Sequence, residues 1–177
     1  VAIFRPSNGN WWSLSSVNGQ QINFPFGTAG DIPLPSDFDG DGRADYVVFR
    51  PSTNQWLRAS SANGVQSNRT FGLAGDKPVI GDFDGDGMGD SAIFRPSTAN
   101  WFILNSGSNT ISIDTFGANG DIPVDGDFDG DSRADIAIFR PSNGEWYFKR
   151  STNGTVFGAQ FGQTGDKPVI SDYDKDG

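Results

Sequence analysis

The sequence predicts an all-β fold, a β-propeller of four-stranded antiparallel blades, and three observations carry that expectation. The first is a strict period of 45 residues: VAIFRPS begins at Val1, YVVFRPS at Tyr46, SAIFRPS at Ser91 and IAIFRPS at Ile136. Self-similarity at a fixed spacing of this size marks stacked supersecondary units. The second is composition, rich in Gly, Ser, Asn, Thr and Phe with a single Met, which favours strands and turns over helices. The third is that each repeat contains four short apolar or alternating runs bounded by turn residues at matching offsets.

Taken in order, Ala2–Pro6 is apolar at successive positions, which suits an inner strand buried on both faces. Pro6 cannot donate to a ladder and Ser7-Asn8-Gly9 is turn chemistry, so the chain reverses there and a second strand starts at Trp11 and runs to about Ser16. Asn18-Gly19, Asn63-Gly64 and Asn153-Gly154 supply the positive φ of a tight hairpin, with Ser108-Asn109 at the equivalent place in the third repeat. A third strand ends at Phe26-Gly27, and a Gly-Asp turn leads to a short fourth strand such as Pro33–Phe38 or Pro78–Phe83. Four antiparallel strands per 45 residues is the size of a propeller blade, whose radial stacking buries both faces and leaves only short edges. A linear β-solenoid also has a strict period, but its repeats are shorter and its hairpins fewer.

The repeats run 1–45, 46–90, 91–135 and 136–177 as one repeat domain, without a linker. In that register the strand around Pro168–Tyr173 either completes the N-terminal blade of a closed four-bladed ring or belongs to a larger propeller or array. With no cysteine there is no disulfide framework and no thiolate metal site. No apolar run approaches membrane-spanning length, which argues against insertion in a membrane, and any export signal is expected outside this segment. There is no histidine, nucleophile motif, phosphate-cradling glycine loop or basic patch, so enzyme and nucleic-acid readings lack their parts.

The net charge of -9 is local rather than a surface field. Fifteen of the 22 acidic residues fall in four Asp-rich loops, and the remaining seven against 13 basic residues leave +6. Four divalent ions would add +8 and bring -9 to -1.

These loops carry the strongest motif, D-x-D-G-D-G-x-x-D, as Asp37, Asp39, Asp41 and Asp45, again as Asp82, Asp84, Asp86 and Asp90, and as Asp127, Asp129, Asp131 and Asp135. Four carboxylates within nine residues repel one another unless a hard cation with many oxygen ligands joins them, and Ca²⁺ suits such a set better than Mg²⁺. By analogy with other Asp-rich calcium loops, positions 1, 3, 5 and 9 ligate through side chains, and Arg43, Met88 or Arg133 adds a backbone carbonyl. Gly40 and Gly42 let the chain fold tightly around an ion, a rule that Ser132 breaks in the third copy. Position 12 falls on Val48, Ile93 and Ile138, so this is not an EF-hand. The fourth copy, Asp172, Asp174 and Asp176, has Lys175 in place of a glycine and lacks a ninth residue, so it is expected empty, weaker, or completed from elsewhere. Solvated acidic turns are the bland alternative, and matched glycines in three copies argue against it. Equivalent carboxylates repeated around a scaffold also lack the asymmetry that acid/base catalysis needs.

The order F-G-x-x-G-D, then the Asp loop, then an apolar strand, as in Phe71-Gly72-Leu73-Ala74-Gly75-Asp76, Asp82 to Asp90 and Ser91-Ala92-Ile93-Phe94, resembles the FG-GAP/VCBS-type repeat family. The resemblance covers nearly the whole chain. It implies calcium-binding propellers, usually of about seven blades, as in integrin α-subunit heads, certain fungal lectins and many secreted bacterial proteins. It also implies that the loop joins the first and second strands of a blade, that the ions line one rim, and that their role is structural.

Of the other recurring residues, Trp11, Trp56, Trp101 and Trp146 read as core or interblade packing rather than sugar-stacking platforms, leaving Trp12 or Tyr147 as the better ring for a ligand. Arg5, Arg50, Arg95 and Arg140 are expected to pair between blades with Asp31-type carboxylates, Asp76, Asp121 and Asp166 being the equivalents. Asn68-Arg69-Thr70 and Asn153-Gly154-Thr155 are glycosylation sequons, meaningful only on a eukaryotic secretory route. The function expected is a non-catalytic, extracellular, secreted or cell-surface binding or adhesion module for a glycan or protein ligand on a calcium-rigidified scaffold. The alternatives are a structural array or filament that self-associates through open blade edges, and an accessory region of a larger secreted enzyme.

Overall fold

A computed structural model describes residues 1–15 and 17–170. Fifteen strands run through them and no helix occurs among the described residues. In chain order they are β1 (Ala2–Arg5), β2 (Asn10–Leu14), β3 (Gln21–Pro25), β4 (Ile32–Pro33), β5 (Tyr46–Arg50), β6 (Gln55–Ala59), β7 (Gln66–Thr70), β8 (Lys77–Gly81), β9 (Asp90–Arg95), β10 (Asn100–Leu104), β11 (Ile111–Thr115), β12 (Ile122–Val124), β13 (Ile136–Arg140), β14 (Glu145–Lys149) and β15 (Val156–Gln160).

The chain divides into two compact units, one from Val1 to Ala74 and one from Gly75 onward. The first holds the sheets β1-β2-β3 and β4-β5-β6-β7, and the second holds β8-β9-β10-β11 and β12-β13-β14-β15. Each is an antiparallel meander, and three have the four strands expected of a blade. The strand that closes one 45-residue repeat hydrogen-bonds to the first strand of the next, as in Pro33↔Val48 and Pro78↔Ile93. A sheet is therefore offset from the sequence repeat, and each described Asp loop joins its first and second strands. The fourth-strand segments are shorter than their sequence runs: β4 covers Ile32–Pro33, with a lone bridge from Ser36 to Asp45 beyond it, and β8 ends at Gly81, where the chain turns into the loop at Asp82. Residues 168–170 form no strand, and the rest of the segment expected there lies outside the described residues.

Burial follows the pattern of the sequence. Strands β5, β9 and β13 are buried on both faces from Val47, Asp90 and Ile136 through the Phe that precedes Arg. The equivalent β1 sits in a sheet that has three strands among the described residues, none of them against its outer edge, and Ile3 there is exposed. Trp11, Trp56 and Trp101 are core residues, each tilted against the Phe of the preceding strand at 5.2–5.5 Å between ring centroids. Each indole Nε1 donates to the carbonyl 15 residues on, Phe26, Phe71 and Phe116, and half-buried Trp146 does the same to Phe161. Burial of Trp11, Trp56 and Trp101 in the core leaves their ring faces no room for a ligand, whereas Trp146 keeps part of its surface exposed.

Hairpin chemistry is equally regular. Gly19, Gly64 and Gly154 take φ of 70–73°, and Asn109 takes 60° where no glycine is present. Asn tolerates the left-handed region better than other non-glycine residues, so the third hairpin keeps its geometry.

Candidate metal centre

Each of the three described Asp loops is built the same way from the backbone outward. The first Asp of the motif is its hub. Asp37 Oδ1 accepts from the amides of Gly40 at 2.7 Å and Asp41 at 3.2 Å, and its Oδ2 accepts from Gly42 at 2.7 Å. Asp82 repeats this with Gly85, Asp86 and Gly87, and Asp127 with Gly130, Asp131 and Ser132. Closing the chain round one carboxylate needs positive φ at two places, met by Gly40 at 74° and Gly42 at 82°. In the third loop Ser132 adopts φ of 68°, a strained conformation for a side-chain-bearing residue, held by its amide bond of 2.7 Å to Asp127.

The fifth-position carboxylates Asp41, Asp86 and Asp131 each accept from the amide two residues on, that of Arg43, Met88 or Arg133, at 2.9 Å. A further acceptance from the Ser151 hydroxyl holds the Asp131 carboxyl below the usual carboxylate range.

The ninth-position Asp has a different task. Asp45, Asp90 and Asp135 are the buried members of their loops. Oδ2 of each takes the amide of the loop's second residue, Phe38, Phe83 or Phe128, and Oδ1 takes an amide of the next hairpin, that of Ser61, Ser106 or Ser151, at 2.7–3.0 Å. This carboxylate staples the loop to the far end of the sheet. Burial pushes the Asp90 and Asp135 carboxyls up, opposed by the amides that they accept and reinforced by the like charges of Asp84 and Asp129. Sequence reasoning treated position 9 only as a ligand. The signal for its second role was its place at the mouth of an apolar strand.

Three carboxylate clusters result, each with oxygens within 4.8 Å of one another: Asp37, Asp39 and Asp41; Asp82, Asp84 and Asp86; Asp127, Asp129 and Asp135. Positions 1 and 3 come together in all three, position 5 in the first two and position 9 in the third. In the third cluster Asp129 Oδ1 is buried and accepts no hydrogen bond, while its Oδ2 takes the Thr152 hydroxyl at 2.5 Å. A buried, unpartnered carboxylate oxygen among like charges fits a site made for a cation. Asp172, Asp174 and Asp176 lie outside the described residues.

Within the second unit the second and third loops are tied to each other. The Ala134 amide donates to the Asp82 carbonyl at 2.7 Å, and the Arg133 side chain lies along Gly85, where a Cβ would stand 2.8 Å from its Nε.

The recurring Arg residues do find the expected carboxylates, but inside a sheet rather than between blades. Arg50, Arg95 and Arg140 form two-pronged bonds of 2.8–2.9 Å to Asp31, Asp76 and Asp121, each 19 residues earlier in the chain. Because the Gly-Asp turn precedes the first strand of a sheet and the Arg ends its second, the pair staples one sheet. These hydrogen bonds hold all three guanidinium groups above their usual range against a smaller cost of burial. Arg5 instead lies 5.3 Å over Trp12, and Arg95 and Arg140 lie 4.5 Å over Phe102 and Tyr147, so these rings serve as cation platforms. The sequon residues Asn68 and Asn153 are exposed.

A catalytically inactive virginiamycin B lyase from Staphylococcus aureus, solved with quinupristin, matches this fold with a TM-score of 0.58 at 10% identity, over 88% of this chain and 50% of that one. At this identity the likeness shows a β-propeller-like fold alone, and the chain spans half the length of that structure. No curated protein matches the chain. Residues 37–93, from the first Asp of one loop through the whole of the next and into β9, match the family model of the FG-GAP-like repeat. Over that segment the match supports the resemblance to the FG-GAP-type repeat family read from the sequence.

Proposed function

We infer that the Asp loops hold Ca²⁺ and that the chain is a non-catalytic, calcium-stabilised binding or adhesion module that works outside the cell. The observation that carries this reading is Asp129 Oδ1, buried without a partner in a cluster with Asp127 and Asp135. A hard cation taking six to eight oxygens is the partner that such a donor set fits, with carbonyls of Arg43, Met88 and Arg133 and water completing the shell. Bound there, calcium supplies charge neutralisation and a cross-link. The chain's own residues do the rest: the first Asp gathers the loop amides, and the ninth ties the loop to the next hairpin. Carboxylates so committed to backbone amides support a structural rather than an acid/base role.

Asp39 and Asp41 are exposed, as is Asp86, which supports the modest affinity of extracellular calcium modules, about 10⁻⁴–10⁻³ M, rather than that of cytosolic sensors. The variable turns on the stapled sheets are the surface on which a glycan or protein ligand would be read. Equilibrium dialysis against calcium tests the metal reading. About three ions per chain are expected from the described loops, and fewer than one at 5 mM overturns it.

A further inference from the structure

One interblade contact differs between the two units, at a position that changes in every repeat: Phe24, Arg69, Asp114 and Ala159. In the first unit, Phe24 of β3 stacks on Tyr46 of β5 at 4.5 Å, and both pack on the cluster that contains Ala59 of β6. Ninety residues on, the equivalent positions in the second unit are Asp114 of β11, Ile136 of β13 and Lys149 of β14. An aromatic stack over an alanine has become an ion pair, with Lys149 Nζ 2.6 Å from Asp114 Oδ1. The two aromatic rings are gone, and a cleft of about 370 Å³ opens there, floored by Ile103 and Ile136.

The side chains that line this cleft carry one more positive than negative charge. Arg133, Lys149 and Arg150 line it against Asp84 and Asp114, which is three positive groups to two negative. Neither Arg133 nor Arg150 shares in the ion pairs of Arg50, Arg95, Arg140 and Lys149, and Arg133 also favours the charge of the Asp131 carboxylate. Both are positioned all the same: Arg133 runs along Gly85, which lacks the Cβ that would displace it, and Arg150 sits 5.0 Å over Phe157. The equivalent of Arg150 is Ser15, Ser60 or Asn105, and that of Lys149 is Leu14, Ala59 or Leu104, so the two cations adjoining at the end of β14 occur in this blade alone. Two guanidinium groups lining one cleft with an apolar floor, Arg150 exposed to solvent, are suited to an oxyanion, which Arg takes in a planar, two-pronged geometry.

We propose that this cleft binds a small hydroxylated oxyanion, in chemical class a sugar acid. Arg133 and Arg150 hold the carboxylate, the Asp114–Lys149 pair and Ser112 hydrogen-bond the hydroxyls, and the aliphatic floor meets the apolar face of the ring. The proposal rests on the reading of the chain as a binding module and gives that module a place and a ligand.

Calorimetric titration of the full 177-residue chain in calcium at low salt, with D-glucuronate, D-glucose and inorganic sulfate as separate probes, is the test. Glucuronate is expected to bind at least about tenfold more tightly than either of the others, and Arg150→Gln to weaken it about tenfold or more. Asp114→Phe with Lys149→Ala installs two of the three residues of the first unit and removes the ion pair, so it should abolish glucuronate binding while leaving the melting temperature within a few degrees. Glucose binding as tightly as glucuronate, sulfate matching it, no glucuronate binding, or binding that survives the double substitution would each overturn the proposal. A glycan array separates this from the broader reading: glycans retained equally by wild type and the double variant sink the cleft and keep the module, whereas no captured glycan or protein ligand sinks both.

Discussion

Removal of calcium should lower the stability of this chain by an amount that can be worked from its loops. Each complete loop presents a preorganised cluster in the native state, while an unfolded chain scatters the same carboxylates, so the ion stabilises by mass action. With a dissociation constant of about 10⁻⁴ M and about 2 mM free calcium, each loop contributes about 1.8 kcal/mol, and the three described loops about 5 kcal/mol together. For a chain of this size that is a drop of about 10–20 °C in melting temperature on chelation. Differential scanning calorimetry in calcium and then in excess chelator reads it directly. The discriminating variant is Asp129→Asn. In chelator it should be neutral or slightly stabilising, since it removes a charge whose Oδ1 is buried without a partner. In calcium it should lose about one third of the shift. Equal melting temperatures with and without chelator would refute the metal reading, and a full calcium shift in Asp129→Asn would refute the role given to that oxygen.

Four further outcomes follow from the same geometry. Arg95→Leu leaves the Asp76 carboxylate, 1% exposed, without its guanidinium, at a cost of about 3–5 kcal/mol by denaturant melts, whereas Arg95→Lys, which keeps charge but not the fork, should cost less. Trp56→Phe keeps an aromatic ring but leaves part of the indole's space empty and removes the donor to the Phe71 carbonyl, an expected loss of at least about 1–3 kcal/mol. Gly81→Ala places a Cβ 2.7 Å from that of Ala134 and should destabilise by about 1–3 kcal/mol, chiefly in transitions that report the second unit. Burial pushes the Asp125 carboxyl up to about 6, so the native state holds its proton more tightly than the unfolded chain; in chelator this residue's contribution to stability should fall as pH rises from about 4 to 6 and level off above, and the difference between wild type and Asp125→Asn should show that slope.

The repeat made most of the fold readable because every local signal appears several times over. A Pro after Arg, an Asn-Gly pair and a Gly-Asp turn each fix one reversal, and their common spacing leaves room only for short antiparallel strands between them. Ser132 and Asn109 show why a motif survives a broken rule: the loop needs positive φ at those places, and one amide bond to Asp127 or one tolerant side chain supplies it without glycine. What the sequence hid is relational. Arg50 and Asp31 were legible as partners by charge, but strand pairing assigns them to one sheet, and pairing depends on where the chain goes after the Asp loop. The stapling by Asp45, Asp90 and Asp135 was hidden for a related reason, since one of its two amides lies 16 residues away on the next hairpin.

The departures from the repeat carry different information from the repeat itself. A position that keeps its residue in every copy, such as Trp56 or Asp76, answers a requirement that every sheet shares, and the structure accounts for each by packing or by a staple. Asp114 stands where every copy has a different residue, and it meets Lys149 in contact across two neighbouring sheets. Had only one of them changed, a half-buried charge would stand where the first unit has Phe24 or Ala59, with no opposite charge beside it. As a pair they neutralise each other and hold a cleft open beside two further cations, so the surface that distinguishes this blade from the others lies where the shared scaffold no longer dictates the residue.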